Sequence, residues 1–168
     1  MKKLFIGIVI LAALTALSCQ TTGQTLSGAK IDGEVTQRKV DSALDHIYNT
    51  YRGKLDMTGS QEYFVQSGDT LSQITRKYYG HLNNVGEAGV DNGFYFPIVM
   101  LASTDSHILD PDLIEPRMKL VIIDLQRNLA NSSSRKAIKD CLNDVAYIYN
   151  RKGRPAEEEG LKKLSNSL

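Results

Sequence analysis

The chain has 168 residues, of which 42% are hydrophobic and 23% are charged. This length allows one or two small domains and excludes a large enzyme core. Lysine and arginine total 20 against 19 aspartate and glutamate residues, so the formal net charge is only +1. A nearly neutral chain has little electrostatic attraction for nucleic acid or for anionic lipid headgroups, and we therefore expect neither as a partner.

The N-terminus has the pattern of an export signal. Lys2 and Lys3 precede the largely apolar run LFIGIVILAALTAL at residues 4–17, and Ser18-Cys19 follows. The run is shorter than the ~20 apolar residues that a membrane-spanning helix needs. Its length and its flanks predict that residues 1–18 are a secretory signal peptide.

Cys19, directly after this run, resembles the lipidated cysteine of the bacterial lipoprotein lipobox, with Ser18 at the cleavage side and Ala16 where most lipoboxes have leucine. The resemblance implies cleavage before Cys19, fatty acids such as palmitate on that residue, and a lipid anchor on the periplasmic side of a cell-envelope membrane. The alternative is an ordinary signal peptide cut nearby, which leaves Cys19 as an incidental thiol. Cleavage before Cys19 removes two lysines and leaves 18 (20 less 2) basic against 19 acidic residues.

An amphipathic helix is predicted after a flexible tether. Residues 19–33 are polar and rich in glycine, threonine and serine, as in a tether. Residues 34–60 are interpreted as the helix and its connection to the next segment, with Gly53 as the helix stop. The apolar face of this helix comprises Val40, Leu44, Ile47, Tyr48 and Tyr51. We expect the face either to pack on the following domain or to bind a partner.

The stretch YFVQSGDTLSQITRKYYG at residues 63–80 predicts a strand, a turn and a capped helix. We expect Gly68 to adopt a positive φ in the turn. Thr70 and Gln73 have the spacing of a capping box, and Gly80 is expected to end the helix in the left-handed conformation. The predicted inward stripe of this helix comprises Leu71, Ile74 and Tyr78.

The same stretch resembles the first half of a LysM domain, a small β-α-α-β module that binds N-acetylglucosamine-containing glycans. The second half is matched by FPIVMLAS at 96–103 as a helix, LDPDLIEP at 109–116 as a loop and MKLVII at 118–123 as a strand. The resemblance implies an α+β chain with a LysM domain over residues 61–125, flanked by an N-terminal helix and a C-terminal αα-hairpin. An insertion at residues 81–95 is expected to be a surface loop.

Two positions depart from the family pattern. Ser103 stands where the family usually has asparagine at the end of the second helix. Arg117 replaces the glycine expected after Pro116. Because arginine adopts a positive φ about 1 kcal/mol less readily than glycine, we expect a different turn at this position.

The resemblance places the sugar in a shallow groove between the loop before the first helix and the loop before the second strand. The glycan-binding residues that it implies are Gly68, Asp69, Thr70, Leu71, Asp110, Pro111, Asp112, Leu113 and Ile114. Backbone groups of the first loop would bond the neutral acetamido group, and Leu71 or Ile114 would contact its methyl. Leu71 and Ile114 are alternatively core residues. Asp69 is alternatively a helix cap, and Asp112 the brace of a turn.

Residues 126–168 lie outside the resemblance and predict a helical hairpin. Its first helix has the apolar stripe Ile138, Cys141, Leu142, Val145, Ile148 and Tyr149. Gly153 ends this helix, and Pro155 begins a second helix with Leu161, Leu164 and Leu168 on its face. We expect the hairpin to pack on the rest of the chain or to dock a partner protein, and Cys141 to be a small core residue.

Together these patterns predict a non-catalytic lipoprotein that binds peptidoglycan or a chitin-like N-acetylglucosamine glycan and is held at a membrane through lipid on Cys19. The alternative is an envelope scaffold or adaptor with a degenerate LysM domain, which binds an envelope protein partner through its helices. No enzyme is expected, because His46, His81 and His107 lie in unrelated segments without metal-ligand or nucleophile spacing. No cofactor and no metal are expected either.

Overall fold

The computed structural model describes residues 30–82 and 89–168. The predicted signal peptide, the predicted lipidation site Cys19 and most of the tether lie outside the described residues, as does the middle of the insertion, 83–88. The described chain is a mixed α+β protein with six α-helices and one two-stranded antiparallel sheet, which confirms the predicted α+β class. None of the described helices is long and apolar enough to cross a bilayer.

Along the chain, two α-helices lie between the two strands, one α-helix precedes the first strand and three follow the second strand. In chain order the elements are α1 (Gln37–Tyr51), β1 (Gln61–Phe64), α2 (Leu71–Tyr79), α3 (Phe96–Ala102), β2 (Lys119–Ile122), α4 (Leu125–Ala130), α5 (Ser132–Arg151) and α6 (Pro155–Asn166). Short 3-10 turns lie at Arg52–Lys54, Asn92–Tyr95 and Thr104–Ser106. The sequence predicted α5 and α6 but not the short helix α4 between β2 and α5.

The N- and C-terminal helices bury their apolar faces within the chain. Helix α1 begins after Thr36, whose side chain accepts a hydrogen bond from the N–H of Lys39, and it packs against α3 and α5. The predicted apolar faces of α1 and α5 are buried, and Cys141 is a fully buried core residue. At the α1–α5 contact, Tyr51 Oη donates to Asp144 Oδ2 at 2.8 Å. These contacts confirm that the hairpin packs on its own chain.

Strands β1 and β2 pair antiparallel over residues 61–64 and 119–122. Two further backbone bonds extend the ladder, from the N–H of Val65 to Met118 O at 3.0 Å and from the N–H of Arg117 to Val65 O at 2.9 Å. Arg117 has a φ of +74°, the left-handed conformation of a glycine. The expectation that arginine changes the backbone here is wrong, because the ladder holds its N–H in place and outweighs the local strain.

Helices α2 and α3 are joined to their neighbours by side-chain caps and bridges. Thr70 Oγ1 accepts from the N–H of Gln73 at 3.3 Å and Gln73 Oε1 accepts from the N–H of Thr70 at 3.2 Å, which confirms the capping box. Ser103, at the end of α3, is buried. Its hydroxyl donates to Val99 O at 2.6 Å and accepts from the N–H of Val121 at 2.9 Å, so it ties α3 to β2.

Helix α2 differs from expectation at its end. Gly80 has an ordinary right-handed φ of −62° and not the expected left-handed conformation. Its missing side chain permits a close approach instead, because a Cβ at Gly80 would lie 2.4 Å from Arg76 O. The buried stripe of the helix ends in Tyr79, whereas Tyr78 is partly exposed.

The insertion is only in part a surface loop. Its last residues, 91–95, turn back onto α2, where Thr75 Oγ1 donates to Gly93 O at 2.9 Å. Tyr95 has no exposed surface. The expectation of a surface loop is wrong for this part of the insertion, because its aromatic end contributes to the core.

Candidate functional site

The two loops that were predicted to bind glycan line one small cleft. Thr70 and Leu71, at the start of α2, form one wall, and Pro111 and Asp112, in the loop before β2, form another. The cleft has a volume of about 90 Å³. This volume holds about three water molecules, and it is well below the roughly 300–1,000 Å³ of a pocket that encloses a whole small ligand.

Further lining comes from segments that the sequence did not assign to the site. The additional lining residues are Ser72, Phe94, Phe96, Tyr149, Arg154 and Glu157. Phe94 and Phe96 lie at the end of the insertion and the start of α3, and the last three residues lie in α5, in the α5–α6 turn and in α6. No local signal marks them as site residues, because helical spacing alone places Tyr149 in the core stripe.

The loop before α2 is braced by its own side chains. Gly68 has the predicted positive φ, +88°, and is exposed. Asp69 Oδ2 accepts hydrogen bonds from Tyr63 Oη at 2.6 Å and from the N–H of Gln66 at 2.8 Å. Chiefly through the tyrosine bond, the pKa of Asp69 lies below its usual range, and the same bond raises the pKa of Tyr63 to about 12. Asp69 therefore braces the turn, and the residue that caps α2 is Thr70.

The loop before β2 is divided between two cavities. Asp110 is partly buried, and its Oδ1 accepts from the N–H of Asp112 at 3.0 Å, which braces the turn at Pro111. Asp112 is exposed, and its Oδ2 accepts from Arg154 Nη1 at 2.9 Å. Asp110 and Leu113 line a second cavity of about 430 Å³ between this loop and α1, where Leu113 is 69% exposed. Only the middle of the loop therefore faces the cleft.

The predicted site residues thus fall into separate groups. The residues that meet at the cleft are Thr70, Leu71, Pro111 and Asp112. Leu71 borders the cleft but is only 1% exposed, so it is mainly a core residue, and Ile114 is partly buried against the core. Gly68, Asp69 and Ile114 line neither the cleft nor the second cavity.

The charges at the rim of the cleft balance. Among its described lining residues, Arg154 is the one basic residue, and it pairs with both Asp112 and Glu157. Lys152 Nζ lies 5.3 Å from the ring centroid of Tyr149, so two carboxylates face two cations around the cleft. Such a rim does not attract anionic groups and suits a neutral ligand.

In the part of the chain that the structure describes, no group of three or more histidine, cysteine, aspartate or glutamate side chains could hold a metal ion. The sequence motifs and the geometry of the cleft support the functional proposal below.

Comparisons with known protein families, with curated proteins and with solved structures gave no significant match to this chain.

Proposed function

We propose that the chain is a non-catalytic cell-wall-binding lipoprotein. In this proposal a LysM-like domain over residues 61–125 binds an N-acetylglucosamine-containing glycan, either peptidoglycan or a chitin-like chain, and lipid on Cys19 holds the domain at a membrane of the cell envelope. The observation that carries the proposal is that two loops far apart in the sequence, at Thr70 and at Pro111, line the same cleft.

The order and pairing of the strands support this proposal. β1, α2, α3 and β2 follow the strand–helix–helix–strand order that the LysM resemblance implies. Phe64 at the end of β1 pairs with Lys119 at the start of β2. The loop after β1 and the loop before β2 therefore lie at the same end of the sheet. A glycan lying across this end of the sheet would contact both loops.

The proposed binding is weak for a single domain. Neutral hydrogen bonds contribute about 0.5–1.5 kcal/mol each, and a cleft of about 90 Å³ encloses only part of a sugar. The motif SGDTL occurs once in this sequence, so one binding domain is assigned to these residues. A lipid anchor on Cys19 would compensate for this low affinity, because confinement beside the cell wall raises the effective concentration of the domain.

The alternative, an envelope scaffold that binds a protein partner through its helices, has less support. The apolar faces of α1, α5 and α6 are buried against other parts of the described chain. The large hydrophobic residues that the described chain exposes are Met57, Phe64 and Leu113, none of which lies in these helices. A partner would therefore have to use the loops and the sheet.

Binding to insoluble cell-wall sacculi tests the proposal directly. The purified mature chain, from Cys19 onward, should sediment with sacculi, and soluble oligomers of β-1,4-linked N-acetylglucosamine should release it. A chain that stays in the supernatant would contradict glycan binding and favour the scaffold.

Two matched variants tie the binding to the cleft. Asp112→Ala removes an exposed carboxylate that pairs with Arg154 at 2.9 Å, and Asp105→Ala removes one that pairs with Lys119 at 3.0 Å. Both carboxylates are largely exposed, so neither change should affect stability by more than about 1 kcal/mol. We expect Asp112→Ala to weaken sedimentation with sacculi and Asp105→Ala, which lies outside the cleft, to leave it unchanged. Equal binding by the two variants would contradict the assignment of the cleft.

A further inference from the structure

The α5–α6 turn closes one side of the cleft. Arg154, at the start of α6, donates from Nη1 to Asp112 Oδ2 at 2.9 Å and so joins α6 to the loop before β2. Its guanidinium also lies over the ring of Tyr149, with Cζ 5.5 Å from the ring centroid. The C-terminal helices, which lie outside the LysM resemblance, are therefore part of the cleft.

Tyr149 is the unusual residue of this wall. It is 2% exposed, and its ring packs edge-on against Phe96 with the ring centroids 5.8 Å apart. Its hydroxyl oxygen is buried and has no hydrogen-bond partner among the residues that the structure describes. Buried hydroxyls normally have a partner, because an unpartnered one loses its bonds to water without replacement. The Tyr149 side chain lines the cleft, so a small movement of its ring on ligand binding would bring the hydroxyl to an acceptor there and supply the missing bond.

The charges around the hydroxyl limit what its partner can be. Burial raises the pKa of Tyr149 well above its ordinary value; the Arg154 guanidinium opposes this shift, and the carboxylates of Asp110, Asp112 and Glu157 add to it. The hydroxyl therefore stays protonated and acts as a donor. Two cations face the ring, Arg154 and Lys152, whose Nζ lies 5.3 Å from the ring centroid. The three carboxylates outnumber them and disfavour an anion, so the acceptor that fits is a neutral oxygen.

The size and the apolar lining limit the partner further. The cleft of about 90 Å³ encloses a group of about three or four non-hydrogen atoms, so the rest of a sugar ring would lie outside it. Phe94 and Pro111, which are partly exposed, supply apolar surface to this group. A carbonyl oxygen beside a methyl group, as in an acetamido substituent, matches the donor and the apolar surface together.

We propose that the Tyr149 hydroxyl donates a hydrogen bond to the acetamido carbonyl oxygen of an N-acetylated sugar, whose methyl group contacts the apolar lining. This inference rests on the proposed function and adds to it a specificity-determining residue from the C-terminal helices. A glycan with the same β-1,4 linkage but a hydroxyl in place of the acetamido group cannot offer that carbonyl, and it leaves the buried donor unpaired.

Tyr149→Phe tests the contact because it removes only the hydroxyl. The affinity of the mature chain for a β-1,4-linked N-acetylglucosamine tetramer, measured by isothermal titration calorimetry, should fall roughly three- to tenfold, as expected for one neutral hydrogen bond. The melting temperature of the free variant should be unchanged or higher, because no intramolecular hydrogen bond of the described chain is lost. Tyr51→Phe is the matched control: it removes a buried hydroxyl that donates to Asp144, so it should lower the melting temperature and leave the affinity unchanged.

A β-1,4-linked glucose tetramer separates a direct contact from an indirect one. Wild type and Tyr149→Phe should bind this tetramer equally and more weakly than wild type binds the N-acetylated tetramer. Equal affinity of wild type and variant for the N-acetylated tetramer overturns the inference alone and means that the hydroxyl does not contact the ligand. Loss of affinity for both tetramers by the same factor also overturns it, because the effect is then not on the acetamido group. Failure of the wild type to bind the N-acetylated tetramer overturns the inference and the proposed function together.

Discussion

The two loops that line the cleft are held in place by different kinds of contact. In the loop before α2, the bracing side-chain bonds join residues at most six positions apart. Tyr63 and the N–H of Gln66 both donate to Asp69, and Thr70 caps the helix that follows. The side-chain bracing of this wall is therefore local to residues 63–73, although Val65 is also bonded to Met118 and Arg117 through the backbone.

The loop before β2 has one local brace, from the N–H of Asp112 to Asp110 Oδ1, and depends otherwise on more distant segments. Ser106 Oγ donates to Lys119 O at 2.5 Å, and Asp112 is bound by Arg154, which lies 42 positions further along the chain. Arg154 is in turn positioned by α6, which packs against the 3-10 turn at the end of the insertion. The comparison teaches that the side-chain bracing of one wall is local, whereas the loop of the other wall is held in part by the C-terminal helices.

The largest expected effect comes from breaking the packing of α6. A Cβ at Gly160 would lie 2.1 Å from Cζ of Phe94, so Gly160→Ala forces the ring or the helix to move. We expect the free energy of unfolding, measured by urea denaturation, to fall by about 1–3 kcal/mol. Gly53→Ala is the control, because a Cβ there meets no atom of the described chain within 4 Å, and its effect should be below about 0.5 kcal/mol. Unchanged stability of Gly160→Ala would contradict the contact between α6 and the insertion.

A smaller effect is expected from straining the local loop. Gly68 has a φ of +88°, and a Cβ there also meets no atom of the described residues within 4 Å, so Gly68→Ala changes backbone strain alone. The free energy of unfolding should fall by about 1–2 kcal/mol. Amide hydrogen exchange should become faster at Asp69 and Thr70 and stay the same at Asp112. Faster exchange at Asp112 as well would remove the distinction between a local and a distant wall.

At Arg117, which has a positive φ in the loop before β2, the expected change in the free energy of unfolding has the opposite sign. Arg117 has a φ of +74° without the freedom of glycine, so Arg117→Gly relieves strain and should raise the free energy of unfolding. The gain should be about 0.5–1 kcal/mol, because glycine also loses more entropy on folding. Arg117→Ala, which keeps the strain, should show no such gain in the same urea titration. A stabilisation by both variants would mean that the arginine side chain, and not its φ, is unfavourable.

The features of the site that the sequence predicted are those that depend on contacts between neighbouring residues. The positive φ of Gly68 and the capping box of Thr70 and Gln73 were predicted because these signals act between neighbours, and the structure confirms each of them. The apolar stripes of α1 and α5 were predicted for the same reason, since helical periodicity is a local pattern.

The rest of the site could not be predicted, because it depends on which segments meet. Periodicity correctly placed Tyr149 on the buried stripe of α5, but no spacing rule says that the end of this stripe borders the cleft. Composition predicted a loop at residues 91–95, although packing on α2 buries Tyr95. Gly80 shows that a glycine near a helix end can serve close approach to a carbonyl and not a left-handed φ.

The smallest expected change in stability concerns the hydrogen bond between Tyr63 and Asp69. This bond helps to lower the pKa of Asp69 below its ordinary 3.8 and raises that of Tyr63 from 10.0 to about 12. The stabilisation linked to Asp69 is therefore present above its ordinary pKa and is lost as the pH falls through the lowered value. The stabilisation linked to Tyr63 is present below pH 10 and is lost as the pH rises through about 12.

Tyr63→Phe should move the pKa of Asp69 back toward its ordinary value, without reaching it, because the N–H of Gln66 still donates to the carboxylate. An NMR titration of the Asp69 carboxyl carbon measures this shift. Tyr51→Phe removes a hydroxyl that donates to another carboxylate, that of Asp144, and should leave the Asp69 titration unchanged. If Asp69 titrated identically in wild type and in Tyr63→Phe, Tyr63 would not brace this loop. Its local side-chain bonds would then be reduced to the bond from the Gln66 N–H to Asp69 and the capping box of Thr70 and Gln73.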